Sequence, residues 1–296
     1  MGNLKETRTR ISSVKSTQQI TKAMKLVAAS KLKKAQDGIT QMRPYAVKLK
    51  EILGNLGGSV DEQSGNSYFE ERNLEQVLVV VLTSDKGLCG SFNSSSIKLA
   101  KKTLEEDYKF QLENGNAHLY CVGKKAGDFF KKRDFKVRWI NDTIFNNMSF
   151  EGAEEMAEEI MKQFVKGKYD RVDIIYNRFI NAATFETTRE QFLPVVPEEQ
   201  EEGEEKENNT DYIFEPGKTE ILEELIPRSL KVNFYKTLLD SNAAEHGARM
   251  TAMSQATDNA QELLEDLKLK YNKERQAAIT TEILEIVGGA EALENG

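Results

Sequence analysis

Two histidines, His118 and His246, are the only imidazoles in the chain, and Cys89 and Cys121 the only thiols. A catalytic His–Cys or His–Asp pair would need one of these residues. His118 opens an apolar stretch and reads as a core or edge residue. His246 follows Glu245 in a helical stretch and reads as an exposed helix residue. The cysteine spacing fits neither a zinc site nor a Cys-x-x-Cys pair, so both read as reduced thiols of a cytosolic compartment. No carboxylate pair stands out from the charged background. Gly217-Lys218-Thr219 resembles the end of a phosphate loop, but the first glycine of that loop would fall at position 212, which is Tyr212. No G-x-G occurs. The loop from Asp85 to Gly90 could wrap an anion with its amides, but Asp85 opposes that use. The residues therefore indicate no catalytic group, no metal site and no cofactor.

Periodicity says more than chemistry. From about Leu4 to Leu56 the chain reads as one long helix. Small and apolar residues at Leu32, Ala35, Ile39, Met42, Ala46, Leu49, Leu53 and Leu56 step by three and four, which is a coiled-coil seam. Upstream the seam runs through Ile11, Val14, Ile20, Met24 and Val27. Gln18 and Thr21 stand where apolar residues are due, which predicts a stutter that changes the winding. A second long helix is expected from about Ser229 to Leu293. Its seam is Met250, Met253, Ala260, Leu264, Leu267 and Tyr271, then Ile279, Ile283, Ile286, Ala290 and Leu293. At 1.5 Å per residue the two would be about 80 and 95 Å long. Neither buries its stripe alone, so the simplest arrangement pairs them antiparallel. The alternative is two separate amphipathic helices on one core.

Between them the period changes. Residues 57–73 read as a loop or linker. Val77 to Leu82 is a continuous apolar run and predicts a buried parallel strand. A small-residue loop follows, then a helix from about Asn93 to Leu112 capped by Asn93 or a nearby serine. Strands are expected at His118–Val122, Phe135–Ile140, Val172–Phe179 and Thr184–Leu193, and helices at Lys124–Lys132 and Phe150–Lys166, the latter capped by Ser149. The link from Ile180 to Ala183 is too short for a crossover, so the last two strands should be antiparallel. The alternation predicts a doubly wound, Rossmann-like α/β domain. Its limits are 74–216, with an acidic insertion at 198–209, between coiled-coil helices at 1–56 and 218–296. Asp211 to Pro216 reads as a last short strand, and Pro227 allows a kink or restart. The fold class is thus α/β plus a long antiparallel coiled coil.

The net charge of −7 is unevenly spread. Residues 1–50 hold twelve Lys/Arg against Glu6 and Asp37, which leaves −17 for the rest. A basic helix on an acidic protein favours an acidic partner surface. A solvated helix face is the plainer reading. No apolar run approaches the roughly 18 residues of a membrane span, and the N-terminus lacks the apolar core of a secretory signal.

Three stretches closely resemble one family, the gamma subunit of the F-type ATP synthase. They are Ile11 to Lys31 (ISSVKSTQQITKAMKLVAASK), Thr83 to Asn93 (TSDKGLCGSFN) and Ala248 to Ala260 (ARMTAMSQATDNA), the last continued by Tyr271-Asn-Lys, Arg275-Gln276 and Ile279 to Ala290. Order and spacing agree across the whole chain. The resemblance implies a central-stalk rotor subunit of a proton-translocating synthase: an asymmetric rotating shaft, itself non-catalytic. It would couple rotation of the c ring to ATP synthesis or hydrolysis in the beta subunits.

The implied partners are the alpha and beta subunits of the α3β3 ring, epsilon and the c-subunit ring, with no nucleic acid, and with membrane contact only through the complex. The implied place is the cytoplasmic face of a bacterial inner membrane. Contacts with the ring would fall on Lys22, Met24, Lys25, Asp85, Lys86, Arg249, Gln276, Thr280, Ile283 and Ile286. Lys31, Lys33 and Lys34 would join Lys22 and Lys25 in facing acidic loops. Tyr212, Phe214 and Glu215 would lie at the foot, near epsilon and the c ring. Ile279, Ile283, Leu284, Ile286 and Val287 read as covering most of the helix circumference, so this segment expects burial on all sides, which a sleeve of ring subunits would provide. The dithiol insertion of chloroplast members is absent, so redox control is not expected. Two other classes compete. A basic coiled-coil scaffold could bind nucleic acid, although base-stacking aromatics are missing before Pro44. A nucleotide-dependent enzyme would need the middle domain to bind ATP or NAD.

Overall fold

The computed structural model describes residues 2–56, 67–145, 147–195 and 218–294. Among them the chain forms two compact units, Met1–Ala29 with Arg249–Gly296, and Ser30–Ala248. Two helices contribute to both: α1, Gly2–Leu56, and α6, Lys218–Glu294. Pro44 and Pro227 both lie inside these helices, so Pro227 does not restart α6.

The unit Ser30–Ala248 holds a five-stranded sheet in the order β3-β2-β1-β4-β5. The strands are β1 Val77–Leu82, β2 Ala117–Val122, β3 Val137–Asn141, β4 Arg171–Asn181 and β5 Thr184–Leu193. β1 is buried along its whole length between parallel neighbours β2 and β4, as its continuous apolar run requires. β4 and β5 form an antiparallel hairpin. The Asn181 carboxamide oxygen accepts from the amides of Ala183 and Thr184 and closes its turn.

Helices cover both faces. On one, α5 (Phe150–Val165) and the first part of α6 bury Met156, Ile160, Phe164, Leu230, Phe234 and Leu238. On the other, α2 (Phe92–Lys102) and α4 (Lys124–Lys131) bury Ile97, Ala100 and Phe130. Ser149 caps α5 by accepting from the Gly152 amide at 3.2 Å, as the sequence indicates. α1 packs on α6 here through Leu32, Ala35 and Leu49. Gly38 lies beside Leu239, and the Arg228 guanidinium stands 5.7 Å from the Tyr45 ring, so the two helices run antiparallel.

The expected single helix from Asn93 to Leu112 is broken. α2 ends at Lys102, a wide turn occupies Thr103–Asp107, and a short helix, α3, runs from Lys109 to Glu113. The Tyr108 amide reaches back five residues to the Thr103 carbonyl. The extra residue swings Tyr108 under the sheet, where its hydroxyl donates to Asp173 at 2.6 Å. Asp173 is 1% exposed and also accepts from Arg189 Nε at 2.6 Å and Arg171 Nε at 3.3 Å. Burial and the adjacent carboxylate push the Tyr108 phenol well above its ordinary range.

The unit Met1–Ala29 with Arg249–Gly296 is an antiparallel coiled coil. As α1 passes from Thr7 to Lys25, its partners on α6 descend from Glu274 to Ser254. The expected stutter is absent. Inward positions of α1 continue by threes and fours through Leu4, Thr7, Ile11, Val14, Gln18, Thr21, Lys25 and Ala28, each buried or half-buried. Ile20 and Val27, expected on the seam, are 60% and 58% exposed. The rhythm never breaks; polar residues occupy it. On α6 the seam runs through Met253, Thr257, Ala260, Leu264, Leu267, Tyr271 and Glu274 and ends at Ala278.

Candidate partner-binding surfaces

The end of α6 carries five exposed large apolar side chains, Ile279, Ile283, Leu284, Ile286 and Val287. The Thr7–Glu274 pair sets the register, so α1 begins about level with residue 279 of its partner. Every residue from Ile279 to Ala290 is exposed, with Ile286 at 72% and Leu284 at 65%. This corrects the expectation that Ile279, Ile283 and Ile286 continue the seam. At about 100° per residue, Ile279, Ile283, Leu284, Ile286 and Val287 span roughly 160° of the helix, centred roughly 150° from the seam. The stripe is broad but one-sided, not wrapped round the helix, and it faces away from the side that α1 occupies.

The other ring-contact residues named on this unit are placed as follows. Lys22, Gln276 and Thr280 are exposed, and Met24 and Arg249 half-buried. Lys25 turns inward: it is half-buried and its ammonium donates to Ser254 Oγ at 2.9 Å, so it does not share the outward role expected of it.

In the unit Ser30–Ala248, Lys31, Lys33 and Lys34 are exposed. The loop after β1 carries the second candidate surface. Asp85 is bound into the fold: its carboxylate accepts from the Lys124 amide at 3.0 Å and so holds the start of α4. Burial nonetheless raises its pKa above the ordinary carboxylate value. Gly123 before it has φ 95°, and a Cβ there would stand 1.9 Å from the Thr83 carbonyl oxygen. Gly123→Ala is expected to lower stability by about 2 kcal/mol or more, read by denaturant unfolding.

Lys86 is exposed at the tip, and beside it Leu88 has φ 63° and is 65% exposed. A leucine held in the left-handed region with its side chain in water is unusual on both counts, and periodicity does not reveal it. The base of the loop is knotted. Asn93 Oδ1 accepts from the Ser84 amide at 2.8 Å, and Asn93 Nδ2 donates to Cys89 Sγ at 3.2 Å. Asn93 thus ties the loop and does not cap α2, whose cap position is Ser91.

A Rossmann-like sheet binds dinucleotides at its switch point, outside the ends of β1 and β4. Here Cys89 and Phe92, just after β1, pack on Ala244 of α6, with Phe179, Phe185 and Ala248 around them. His246 is 8% exposed within the same stretch of α6, contrary to its reading as a surface residue. His118 is half-buried against Tyr169, and burial with nearby Lys136, Arg138 and Lys168 lowers its pKa. Cys89 and Cys121 are free and buried, and burial pushes the Cys121 thiol up to about 12. Among the described residues no cluster of His, Cys, Asp or Glu could hold a metal ion. None of the described helices is long and apolar enough to cross a membrane. Tyr212, Phe214, Glu215 and the acidic run at 198–209 lie outside the described residues.

A cavity of about 410 Å³ lies between α1, α6 and β4, lined by Ile39, Met42, Phe179 and Leu239 with Lys236, Arg178 and Asp240. Burial raises the Asp240 carboxyl to about 6, with Glu190 adding to the rise and Lys236 and Arg178 opposing it. A raised acid favours the protonated fold, so its stabilising effect is full below about pH 4 and is lost as pH rises through about 6. Relative to Asp240→Asn, the native chain should lose about 2–3 kcal/mol of stability over that window, measured by urea unfolding at each pH.

The two units are thus an antiparallel coiled coil with an exposed apolar stripe and a Rossmann-like α/β domain. Comparison with known proteins gives the family. The family model described as ATP synthase matches residues 3–293. The ATP synthase gamma chain of Christiangramia forsetii is 55% identical over 293 residues, covering 99% of both chains. That of Cytophaga hutchinsonii is 52% identical over 295 residues, covering both chains fully. A chain of the Tetrahymena thermophila mitochondrial ATP synthase central stalk and c ring superposes with TM-score 0.59 at 27% identity, covering 80% of this chain and 99% of that one. A chain of the Euglena gracilis mitochondrial enzyme shares the fold with TM-score 0.70 at 24% identity, covering 100% and 96%. The chain belongs to the ATP synthase gamma chain family and is a central-stalk rotor subunit of an F-type ATP synthase.

Proposed function

We propose that this subunit is the non-catalytic shaft of the complex, standing in the α3β3 ring and joined at its foot to epsilon and the c ring on the cytoplasmic face of a bacterial inner membrane. Proton flow turns the c ring, and the shaft turns with it. The observation that carries this reading is the end of α6: a one-sided apolar stripe, Ile279 to Val287, exposed among the described residues. A one-sided stripe cannot touch three identical neighbours alike. Each beta subunit meets different contacts at a given angle, and its open and closed populations shift by no more than the difference in those contact energies. Lys22, Lys31, Lys33 and Lys34, exposed on α1, meet acidic loops. Exposed ion pairs contribute about 0–1 kcal/mol each, so they can be broken and remade on every turn.

Asp85 and Lys86, with their loop, and Arg249, Gln276, Thr280, Ile283 and Ile286 make the remaining ring contacts. Tyr212, Phe214 and Glu215 make the foot. The test is co-purification. The tagged chain should carry alpha and beta subunits with it and hydrolyse no ATP by itself. Recovery without them, or nucleotide turnover by the chain alone, contradicts the proposal.

A further inference from the structure

In the coiled-coil unit, α1 is built inside out. Ile20, Leu26 and Val27 are 58–67% exposed, while Gln18, Thr21 and Lys25 face α6. Of the described α1 side chains in this unit, only Thr7, Thr21 and Ala28 are buried, and two of those are hydroxylated. Each polar residue on this stretch of seam makes a hydrogen bond across it. Thr7 Oγ1 donates to Glu274 Oε2 at 2.9 Å and Gln18 Nε2 to Gln261 Oε1 at 2.8 Å. The Thr21 and Thr257 hydroxyls lie 2.8 Å apart, and each also reaches a carbonyl of its own helix, Gln18 at 3.0 Å and Met253 at 2.7 Å, so one of the two can donate across the seam. Lys25 Nζ donates to Ser254 Oγ at 2.9 Å.

From this pattern we infer that the four cross-helix pairs, more than apolar burial, fix the axial and angular phase in which residues 4–28 of α1 lie on α6. Apolar seams repeat every seven residues and discriminate poorly between alignments one heptad apart. The polar pairs do not repeat. Moved one heptad either way, Thr21 would face Met250 or Leu264. In one direction Thr7 would meet Leu267, and in the other Glu274 would meet Val14. Only the observed alignment satisfies all four; in the others the cross-helix bonds are lost, and buried Thr7 is set against an apolar side chain. A heptad corresponds to about 10 Å along the axis. Small residues such as Ala28 and Ala260 on the same seam add contact but little directionality. The pairs are positioning residues: they set where the apolar stripe of α6 stands relative to Lys22 and Met24 on α1. The inference concerns this chain alone and holds whatever surrounds it.

The test uses the full chain with spin labels at Ser13→Cys and Lys268→Cys, both exposed, the native thiols being buried. The labelled parent should give one narrow distance. Adding Thr7→Val, Glu274→Leu, Thr21→Val and Thr257→Val makes the seam more apolar. This variant should keep its helix content and melting temperature yet broaden the distance distribution at least twofold or add a second population. A distribution as narrow as the parent's overturns the inference. So does a broadening that appears only with a falling melting temperature, because that is loss of stability and not of phase. If the quadruple variant fails to fold, Thr21→Val with Thr257→Val is read by the same criteria. Thr21→Ser with Thr257→Ser should restore the narrow distance, and its failure to do so also counts against the inference.

Discussion

Removing residues 279–296 is expected to leave the sheet unit as stable as before and to abolish most coupled ATP synthesis in the assembled complex. Residues 279–290 are exposed throughout, so their loss should change the unfolding free energy of the chain by no more than about 0.5 kcal/mol. Five large apolar side chains in that segment can each contribute about 1.5–3 kcal/mol when buried by a partner. If even a fifth of that differs between angular positions, the bias on a catalytic subunit is about tenfold or more. Circular dichroism melts and proton-driven synthesis rates separate the two effects. If the truncation unfolds residues 75–195, those residues do not form a domain independent of the terminal helices.

Asp173→Ala should be the most damaging single substitution in the sheet unit, at about 3–5 kcal/mol. Asp173 is 1% exposed and is shared by Arg189, Arg171 and Tyr108. Removing it leaves the Arg189 guanidinium, which also reaches Asp107 and the Tyr108 hydroxyl, without its central counter-charge. The turn at Thr103–Asp107 exists to present Tyr108 to this carboxylate, so it should loosen as well. Denaturant unfolding gives the magnitude, and amide exchange at Tyr108 reports the turn. Replacing Asp173 and Arg189 together by apolar residues should cost less than Asp173→Ala alone, because no charge is then stranded.

Much of the architecture was legible because period and composition change sharply along the chain. Val77–Leu82 reads as a strand buried on both faces, and the link from Ile180 to Ala183 is too short for anything but an antiparallel return. What stayed hidden depends on contacts distant in sequence. Nothing local distinguishes a continuous helix at 93–112 from one interrupted to aim Tyr108 at Asp173, some 65 positions away.

The seam of α1 departs from its hydrophobic pattern for a related reason. Hydrophobicity picks Ile20 and Val27, yet unbroken heptad spacing from Leu4 picks Thr21 and Ala28, and spacing prevails because helix geometry is fixed while polar seam residues can bond across. Counting spacing before polarity would have found this. The C-terminal stripe at Ile279, Ile283 and Ile286 was recognised as apolar, but its angular offset from the seam shows only when both are placed on one helix. Leu88 gave no signal at all, since a positive φ at a leucine is decided by the loop knot of Ser84, Cys89 and Asn93.

The most direct measurement of the shaft is rotation itself. With the α3β3 ring assembled on this chain and fixed to a surface, a bead on an exposed cysteine introduced at Lys101 should turn in one direction, in steps, while ATP is hydrolysed. Hydrolysis at full rate with the bead motionless, or turning without preferred direction, would contradict a shaft that moves as one body with its helices wound together.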